Sequence, residues 1–250
     1  RAVEQIAALL TTDGPILSSG EYDGEDYDAR KELRGWNKIR YNDAFWQTAK
    51  LVAAPGELSA QMIEPIRVTQ TIRPISYREI KPGVLVYDMG QNMVGWCRLK
   101  VKGSAGINVQ MRFAETVNPD GSLYMANLRG ARVTDNYTLQ GRGKEIWEPR
   151  FTYHGFRYVE VTGLPGYATL AALEGRVVHD DLGRAGEFKC SNELLNQIYT
   201  NVFWGTRGNY RSMPTDCPQR DERLGWTGDA QFFVPTAAYN FDVQTFFSDT

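Results

Sequence analysis

The chain has 250 residues, of which 42% are hydrophobic and 23% are charged, and its formal net charge at pH 7 is -2. This composition is ordinary for a globular protein, and the nearly balanced charge argues against a nucleic-acid partner. No apolar run approaches the roughly 20 residues that cross a membrane, so a membrane span is not expected either.

Residues 1–71 are rich in Gly, Pro, Asp and short apolar runs, which predicts a β domain. The stretches YDGEDYDAR (22–30) and GWNKIRYNDAFW (35–46) are interpreted as loop and edge-strand segments. The first stretch is acidic but lacks the ligand pattern of an EF-hand, which favours a solvated loop over a calcium site. PIRVTQTIRPISY (65–77) has prolines near both ends and is interpreted as a connecting strand and linker.

Residues 72–182 carry the clearest strand signal. In WCRLKVK the apolar residues Cys97, Leu99 and Val101 alternate with basic ones, and NVQMRF (108–113) alternates in the same way. A period of two buries one face of a strand and leaves the other in water, as in an antiparallel sandwich. The sequence therefore predicts a second β-sandwich domain here, preceded by the C-terminal part of another in residues 1–71.

The periodicity becomes helical after about residue 190. Leu195, Ile198 and Val202 recur at helical spacing, and Ser191 is a plausible N-cap. A second helical segment covers 228–241, with Asp229 at or near its cap and Pro235 either kinking or ending it. Residues 183–250 are therefore predicted to begin a helical domain, and both chain ends suggest a piece of a longer protein.

The loop between these helices, TDCPQRDERLGWTGDAQ (215–231), concentrates charge beside an aromatic ring. Its charged residues are Asp216, Asp221, Glu222, Asp229, Arg220 and Arg223. Neighbouring carboxylates raise one another's pKa values and arginines lower them, so such a set can hold one acid protonated and another ionised for acid–base catalysis. An aromatic ring among them suits a sugar, and the candidates are Trp226, Trp204 and Tyr210.

The alternative interpretation is structural. The same charges could form a salt-bridged network that orders the entrance of a helix, and the spacing alone does not separate the two readings. The three cysteines show no CxxC spacing and only His154 and His179 are available as imidazole ligands, so no metal site is predicted. Both histidines are expected to be structural, and Cys217 is expected to be a packed residue.

The segment DCPQRDERLGWTGDAQ resembles the signature of bacterial-type α-L-rhamnosidases of glycoside hydrolase family 78. The resemblance extends to GPILSSGEYDGEDYDAR, VYDMGQNMVGW, RFAETVNPDGSLY and FTYHGFRYVEVTG, in the family's order. It implies β-sandwich domains followed by the start of an (α/α)6 barrel, and an enzyme that hydrolyses terminal α-L-rhamnosides with inversion.

The resemblance also implies residue roles. Glu222 would be the general acid, Asp216, Arg220 and Asp229 would bind rhamnose hydroxyls, and Trp226 would pack against the sugar. Asp221 is then expected to be structural, with an arginine as a possible partner. Inversion needs a second carboxylate that activates water, and the resemblance places it beyond Thr250, so the 250 residues alone are expected to be inactive.

The two-carboxylate mechanism requires neither a metal nor an organic cofactor. The expected partner is a carbohydrate substrate, while the oligomeric state and the cellular compartment stay open. Two alternatives remain: a related glycosidase of the same barrel type acting on another sugar, and a non-catalytic carbohydrate-binding β protein.

Overall fold

The computed structural model describes residues 9–248. A ten-stranded sheet dominates it, with neighbouring strands in the order β2-β3-β9-β8-β11-β7-β12-β5, and with β6 and β10 also paired to β7. The members are β2 Ile16–Gly20, β3 Gly24–Asp28, β5 Ile66–Ile72, β6 Ser76–Lys81, β7 Val84–Lys102, β8 Asn108–Ala114, β9 Thr134–Thr138, β10 Lys144–Trp147, β11 His154–Thr162 and β12 Leu173–Asp180. We call residues 10–180 the β region; it also contains the short pair β1 Leu10–Thr11 and β4 Gln47–Thr48.

The 19-residue strand β7 organises the sheet. Its first half pairs with β6 and β11, and its second half pairs with β12 and β10, so one strand serves two sets of neighbours. Gly95 lies at the change of partners with a φ of 147°, and a Cβ there would collide with the carbonyl oxygen of Arg176. The sheet can therefore curl around its core at this point because no side chain is present.

The predicted alternation is confirmed. Cys97, Leu99 and Val101 in β7, together with Met111 and Phe113 in β8, are at most 5% exposed. They join one large apolar cluster inside the curled sheet, and that cluster also contains Tyr87, Met89, Val109, Tyr137, Phe156, Val159, Val161 and Leu173.

Two expectations for the β domains are wrong: that residues 22–30 form a solvated loop or edge, and that the strands pair only in antiparallel fashion. Residues 24–28 are not a solvated edge but the strand β3, which lies between β2 and β9 and pairs with β9 in parallel. The sheet is therefore not purely antiparallel. Glu25 is fully buried there, and its carboxylate accepts hydrogen bonds from the amides of Arg150 (3.1 Å) and Phe151 (3.4 Å). Burial raises the pKa of this carboxyl above its ordinary value, although these hydrogen bonds oppose the rise.

Three helices follow: α1 Glu193–Asn209, α2 Thr227–Asn240 and α3 Gln244–Ser248. The cap of α1 is Asn192 rather than Ser191, because the Asn192 side chain accepts hydrogen bonds from the amides of Leu194 and Leu195. The residue that caps α2 is Trp226, Asp229 lies in the first turn, and Pro235 is accommodated within the helix. None of the described helices is long and apolar enough to cross a membrane.

The helices dock on the β region through a buried polar contact. Arg207 of α1 donates from Nε to Nε2 of His179 in β12 at 2.9 Å, and from Nη2 to Oγ1 of Thr69 in β5 at 3.2 Å. His179 donates from Nδ1 to the carbonyl of Asp180 at 2.7 Å, so its ring is neutral and its tautomer is set. Burial lowers the pKa of His179 to about 4, which agrees with this arrangement. Both His179 and the fully buried His154 are structural, as predicted.

Candidate active site

The loop 215–226 leaves the short hairpin of β13 (Tyr210–Arg211) and β14 (Met213–Pro214) and enters α2. Asp216 closes it: its amide donates to the carbonyl of Leu224 at 3.1 Å, and its Oδ1 accepts from the amide of Leu224 at 2.9 Å. Burial raises the pKa of the Asp216 carboxyl, but hydrogen bonds from the Cys217 thiol and the Leu224 amide outweigh burial and hold this pKa below its ordinary value. Asp216 is therefore an ionised acceptor.

Glu222 lies at the centre of the site. Its Oε2 accepts from Nη1 of Arg129 at 2.8 Å and from Nε of Arg220 at 2.9 Å, and its Oε1 accepts from Nε1 of Trp226 at 3.1 Å. The side chain keeps 21% of its surface exposed. The carboxyl is thus held at both oxygens and still open to a ligand.

Arg220 joins the two carboxylates. Besides its contact with Glu222, its Nη2 lies 3.4 Å from Oδ2 of Asp216. The hydrogen bond to Glu222 raises the pKa of the Arg220 guanidinium above its ordinary value. A fixed positive charge therefore lies between two acids, with donors left over for a polar ligand.

Trp226 and Asp229 complete the set predicted from the sequence. Trp226 is 49% exposed, so most of one ring surface is free to cover a ligand. Asp229 lies in the first turn of α2 and lines, together with Asp216, a cleft of about 280 Å³ between α1 and α2. Of the other two aromatic candidates, Tyr210 also lines this cleft but is 3% exposed and stacks on Phe246, while Trp204 packs against the core of the β region.

The β region holds the backbone of the loop around Glu222. Oη of Tyr22 donates to the carbonyl oxygen of Glu222 at 2.8 Å. On one side of Glu222, Oδ2 of Asp221 accepts from the amide of Gly130 at 2.9 Å. Asp221 is thus structural as expected, but its partner is a backbone amide instead of the arginine that was considered.

On the other side, Arg223 is 4% exposed and has a positive φ of 51°. Its Nη1 donates to the carbonyls of Glu21 at 2.7 Å and Tyr153 at 2.8 Å. Its guanidinium also lies 4.6 Å from the centre of the Tyr153 ring. Arg223 therefore anchors the loop in the β region.

The thiol of Cys217 and the carboxylates of Asp216 and Glu222 each place one atom within 4.8 Å of the others, close enough to share a metal ion. Burial raises the pKa of Cys217, and its thiol interacts with Asp216, so the thiolate that a metal prefers is disfavoured. Arg220 already supplies a positive charge to both carboxylates. These residues therefore fit a hydrogen-bonded network better than a metal site, and Cys217 is a packed residue as predicted.

Sequence reasoning missed Arg129, Tyr22 and Gly130. They lie about 90 or more residues before the loop, as the separations of 93, 200 and 91 positions to their partners show. Nothing in NLRGAR (127–132) marks Arg129 as a partner of Glu222, because the contact depends on how the two parts of the chain pack.

Three domain families match the chain. Residues 7–70 match the α-L-rhamnosidase N-terminal domain, residues 78–179 match the bacterial α-L-rhamnosidase concanavalin-like domain, and residues 183–250 match the bacterial α-L-rhamnosidase 6 hairpin glycosidase domain. The α-L-rhamnosidase of Streptomyces avermitilis is 49% identical over 235 residues, which are 93% of this chain and 23% of that protein.

Solved α-L-rhamnosidase structures are also similar to this chain. The α-L-rhamnosidase structure from Dictyoglumus thermophilum has a TM-score of 0.95 at 48% identity and covers 96% of this chain and 27% of its own. The S. avermitilis α-L-rhamnosidase complexed with L-rhamnose has a TM-score of 0.94 at 48% identity, covering 96% of this chain and 24% of its own. The chain spans about a quarter of the length of these relatives. On its three consecutive domain matches and this similarity, the chain belongs to the bacterial α-L-rhamnosidase family.

Proposed function

We propose that this chain forms part of an inverting glycoside hydrolase that releases terminal α-L-rhamnose, and that Glu222 is its general acid. The observation that carries the proposal is the arrangement around Glu222: a partly exposed carboxyl, an exposed tryptophan ring and a guanidinium shared with a second acid. The relatives named α-L-rhamnosidase, and the one complexed with L-rhamnose, supply the substrate class.

Glu222 is preferred over its acidic neighbours because of what each one contacts. The Asp221 carboxylate is committed to the amide of Gly130. Asp216 is only 8% exposed and its pKa is held below its ordinary value, so it is a poor proton donor. Only Glu222 combines exposure with a position beside the aromatic ring.

The remaining roles follow from chemistry. We assign Asp216, Arg220 and Asp229 to hydrogen bonds with the sugar hydroxyls, since ionised acceptors and guanidinium donors both suit them. We assign Trp226 to the apolar face of the ring and its methyl group. No step in this scheme needs a metal or an organic cofactor.

Inversion needs a second carboxylate about 6.5–9.5 Å from the acid, with room for water between them. Asp216 and Glu222 place oxygens within 4.8 Å of each other and share Arg220, so Asp216 is too close to serve as that base. We therefore propose that the general base lies outside residues 1–250 and that these residues alone do not release rhamnose.

We propose the same division of the chain as above, at 1–71, 72–182 and 183–250, with the last segment beginning an (α/α)6 barrel. Leu194 and Ile198 of α1 are 68% and 50% exposed, and Phe232 of α2 is 85% exposed. Apolar helix faces of this kind are what further helices of a barrel would cover.

The test compares wild type, Glu222→Gln and the matched neighbour Asp221→Asn in the complete gene product, with a rhamnoside that has a sugar or alkyl leaving group. Glu222→Gln is expected to lose about 10²–10⁴ in rate while still binding rhamnose, because the leaving oxygen is no longer protonated. An activated aryl rhamnoside should be hydrolysed with much less loss, since that group departs without protonation. Absence of rhamnose release by wild type would refute the proposed activity, and an unaffected Glu222→Gln would refute the role of Glu222.

A further inference from the structure

We propose that Arg129, which belongs to the β region, is a positioning residue for the general acid Glu222. This inference rests on the proposed function of Glu222. Arg129 lies in a turn after a 3-10 helix at Ala126–Leu128, and α1 begins only at Glu193. A residue that positions the general acid would thus precede the helical domain by more than fifty residues.

The first support is the contact itself. Nη1 of Arg129 lies 2.8 Å from Oε2 of Glu222, a distance typical of a charge-assisted hydrogen bond. Glu222 receives one guanidinium from its own loop, that of Arg220, and a second one from the β region. The carboxyl is therefore oriented by two independent parts of the fold.

The second support is the backbone. Arg129 has a φ of 56° and a ψ of -119°, a conformation that a residue with a side chain rarely adopts. The next residue, Gly130, donates its amide to Asp221, the residue that precedes Glu222. The contacts Arg129–Glu222 and Gly130–Asp221 thus join the two segments at two consecutive residues each. These two contacts hold the Arg129 side chain against Oε2 of Glu222, and we infer that the unusual backbone conformation of Arg129 is maintained for this reason.

A purely stabilising role does not account for the arrangement. The Arg129 side chain is 55% exposed, and ion pairs at such positions contribute little to the stability of a fold. The guanidinium of Arg129 contacts the same Oε2 that Arg220 contacts, so its effect falls on the position of the Glu222 carboxyl. The charged and titratable groups that face the carboxyl are Arg129 from the β region, and Arg220, Asp216 and Cys217 from the loop.

The experiment uses the complete gene product with Arg129→Gln, Arg129→Lys and the control Arg132→Gln. Arg132 lies three residues further on with a similar exposure of 51%, but it pairs with Asp26 and not with Glu222. Each variant is assayed on an alkyl rhamnoside and on an activated aryl rhamnoside, and kcat and KM are determined separately for each. Thermal unfolding checks that every variant is folded.

Arg129→Gln is expected to lower kcat on the alkyl rhamnoside about tenfold to a hundredfold, because the proton donor is no longer aimed, and to affect the aryl rhamnoside much less. KM should change much less than kcat, because the loss lies in the chemical step. Arg129→Lys should restore kcat on the alkyl rhamnoside toward wild type, and Arg132→Gln should match wild type throughout.

Equal losses on both leaving groups in Arg129→Gln, or a loss that appears only in KM, would overturn the inference. Glu222→Gln, assayed in parallel, distinguishes a failure of the role of Arg129 from a failure of the role of Glu222. If Glu222→Gln shows the leaving-group dependence and Arg129→Gln does not, only the role of Arg129 fails. If Glu222→Gln shows none, the proposed function of Glu222 fails and the role of Arg129 fails with it.

Discussion

Tyr22 and Glu222 are 200 positions apart in the chain, and Oη of Tyr22 donates a 2.8 Å hydrogen bond to the backbone carbonyl of Glu222. The loop that carries the proposed acid is thus held by the turn between β2 and β3 as well as by the helices it connects. Arg223 adds a second tie through the carbonyl of Glu21, the residue next to Tyr22. The β region therefore contributes to the site as a support for its backbone.

Removal of the Tyr22 hydroxyl tests that support. We expect Tyr22→Phe to lower the free energy of unfolding by about 1 kcal/mol, the usual loss for one hydrogen bond, and to reduce kcat several-fold because Glu222 is less well held. The control is Tyr137→Phe, which loses a 2.8 Å hydrogen bond to Glu145 away from the loop. It should show a similar loss of stability with kcat unchanged, and equal losses of kcat in both variants would contradict the interpretation.

A methyl group at Gly130 tests the contact beside Glu222. A Cβ at this position would lie 2.6 Å from Oδ2 of Asp221, so the carboxylate must move and its hydrogen bond with the Gly130 amide breaks. We expect Gly130→Ala to reduce kcat by about threefold to tenfold with little change in melting temperature. Asp221→Ala should give the same loss, and the double variant should be no worse than either one. Additive losses would show that the two residues act independently.

The buried Arg223 is expected to matter for stability. In Arg223→Met the carbonyls of Glu21, Tyr153 and Arg220 lose their donor, and we expect a loss of about 3 kcal/mol or more in the free energy of unfolding. Arg30→Met is the comparison, because Arg30 pairs with Asp28 at 54% exposure and exposed ion pairs contribute little to the free energy of unfolding. Thermal and urea unfolding measure both, and comparable losses would argue against the anchoring role.

The adjacent buried residues His179 and Asp180 are expected to make the free energy of unfolding depend on pH in opposite directions. Burial lowers the pKa of His179 to about 4 from an ordinary value of 6.5, so the unfolded chain binds the extra proton and stability falls as pH drops from about 6.5 to 4. Burial raises the pKa of Asp180 to about 6 from 3.8, so the folded chain binds the extra proton and stability falls as pH rises from about 4 to 6.

Unfolding measured between pH 4 and 8 in two variants separates these effects. His179→Gln should become more stable relative to wild type as the pH falls below 6.5, and Asp180→Asn should become more stable relative to wild type as the pH rises from about 4 to 6. Parallel curves for wild type and either variant would contradict the corresponding assignment.

Strands and helices could be predicted from the sequence where the spacing of neighbouring apolar residues indicates them, and were missed where burial depends on distant residues. The alternation in 97–101 and 108–113 predicted buried strand faces because pleating imposes the period directly. The helices at 193–209 and 227–240 also followed from spacing, with errors of one to three residues at the caps. The strand Gly24–Asp28 was missed because its acids suggest a solvated loop. The burial of Glu25 is tolerated because its carboxylate accepts hydrogen bonds from the amides of Arg150 and Phe151 and from the hydroxyl of Ser19.

The sequence by itself determined the composition of the site: Asp216, Arg220, Glu222 and Trp226 lie within eleven residues, so a closed loop brings them together. Only the tertiary structure decided which residues of the β region hold this loop and which second guanidinium contacts Glu222. Tyr22, Gly130 and Arg129 reach it from the β region, and their contacts depend on the curl of the sheet and the docking of α1. Local patterns report the environment of neighbouring residues, whereas contacts across 90 to 200 positions arise from packing, which leaves no periodic mark in the sequence.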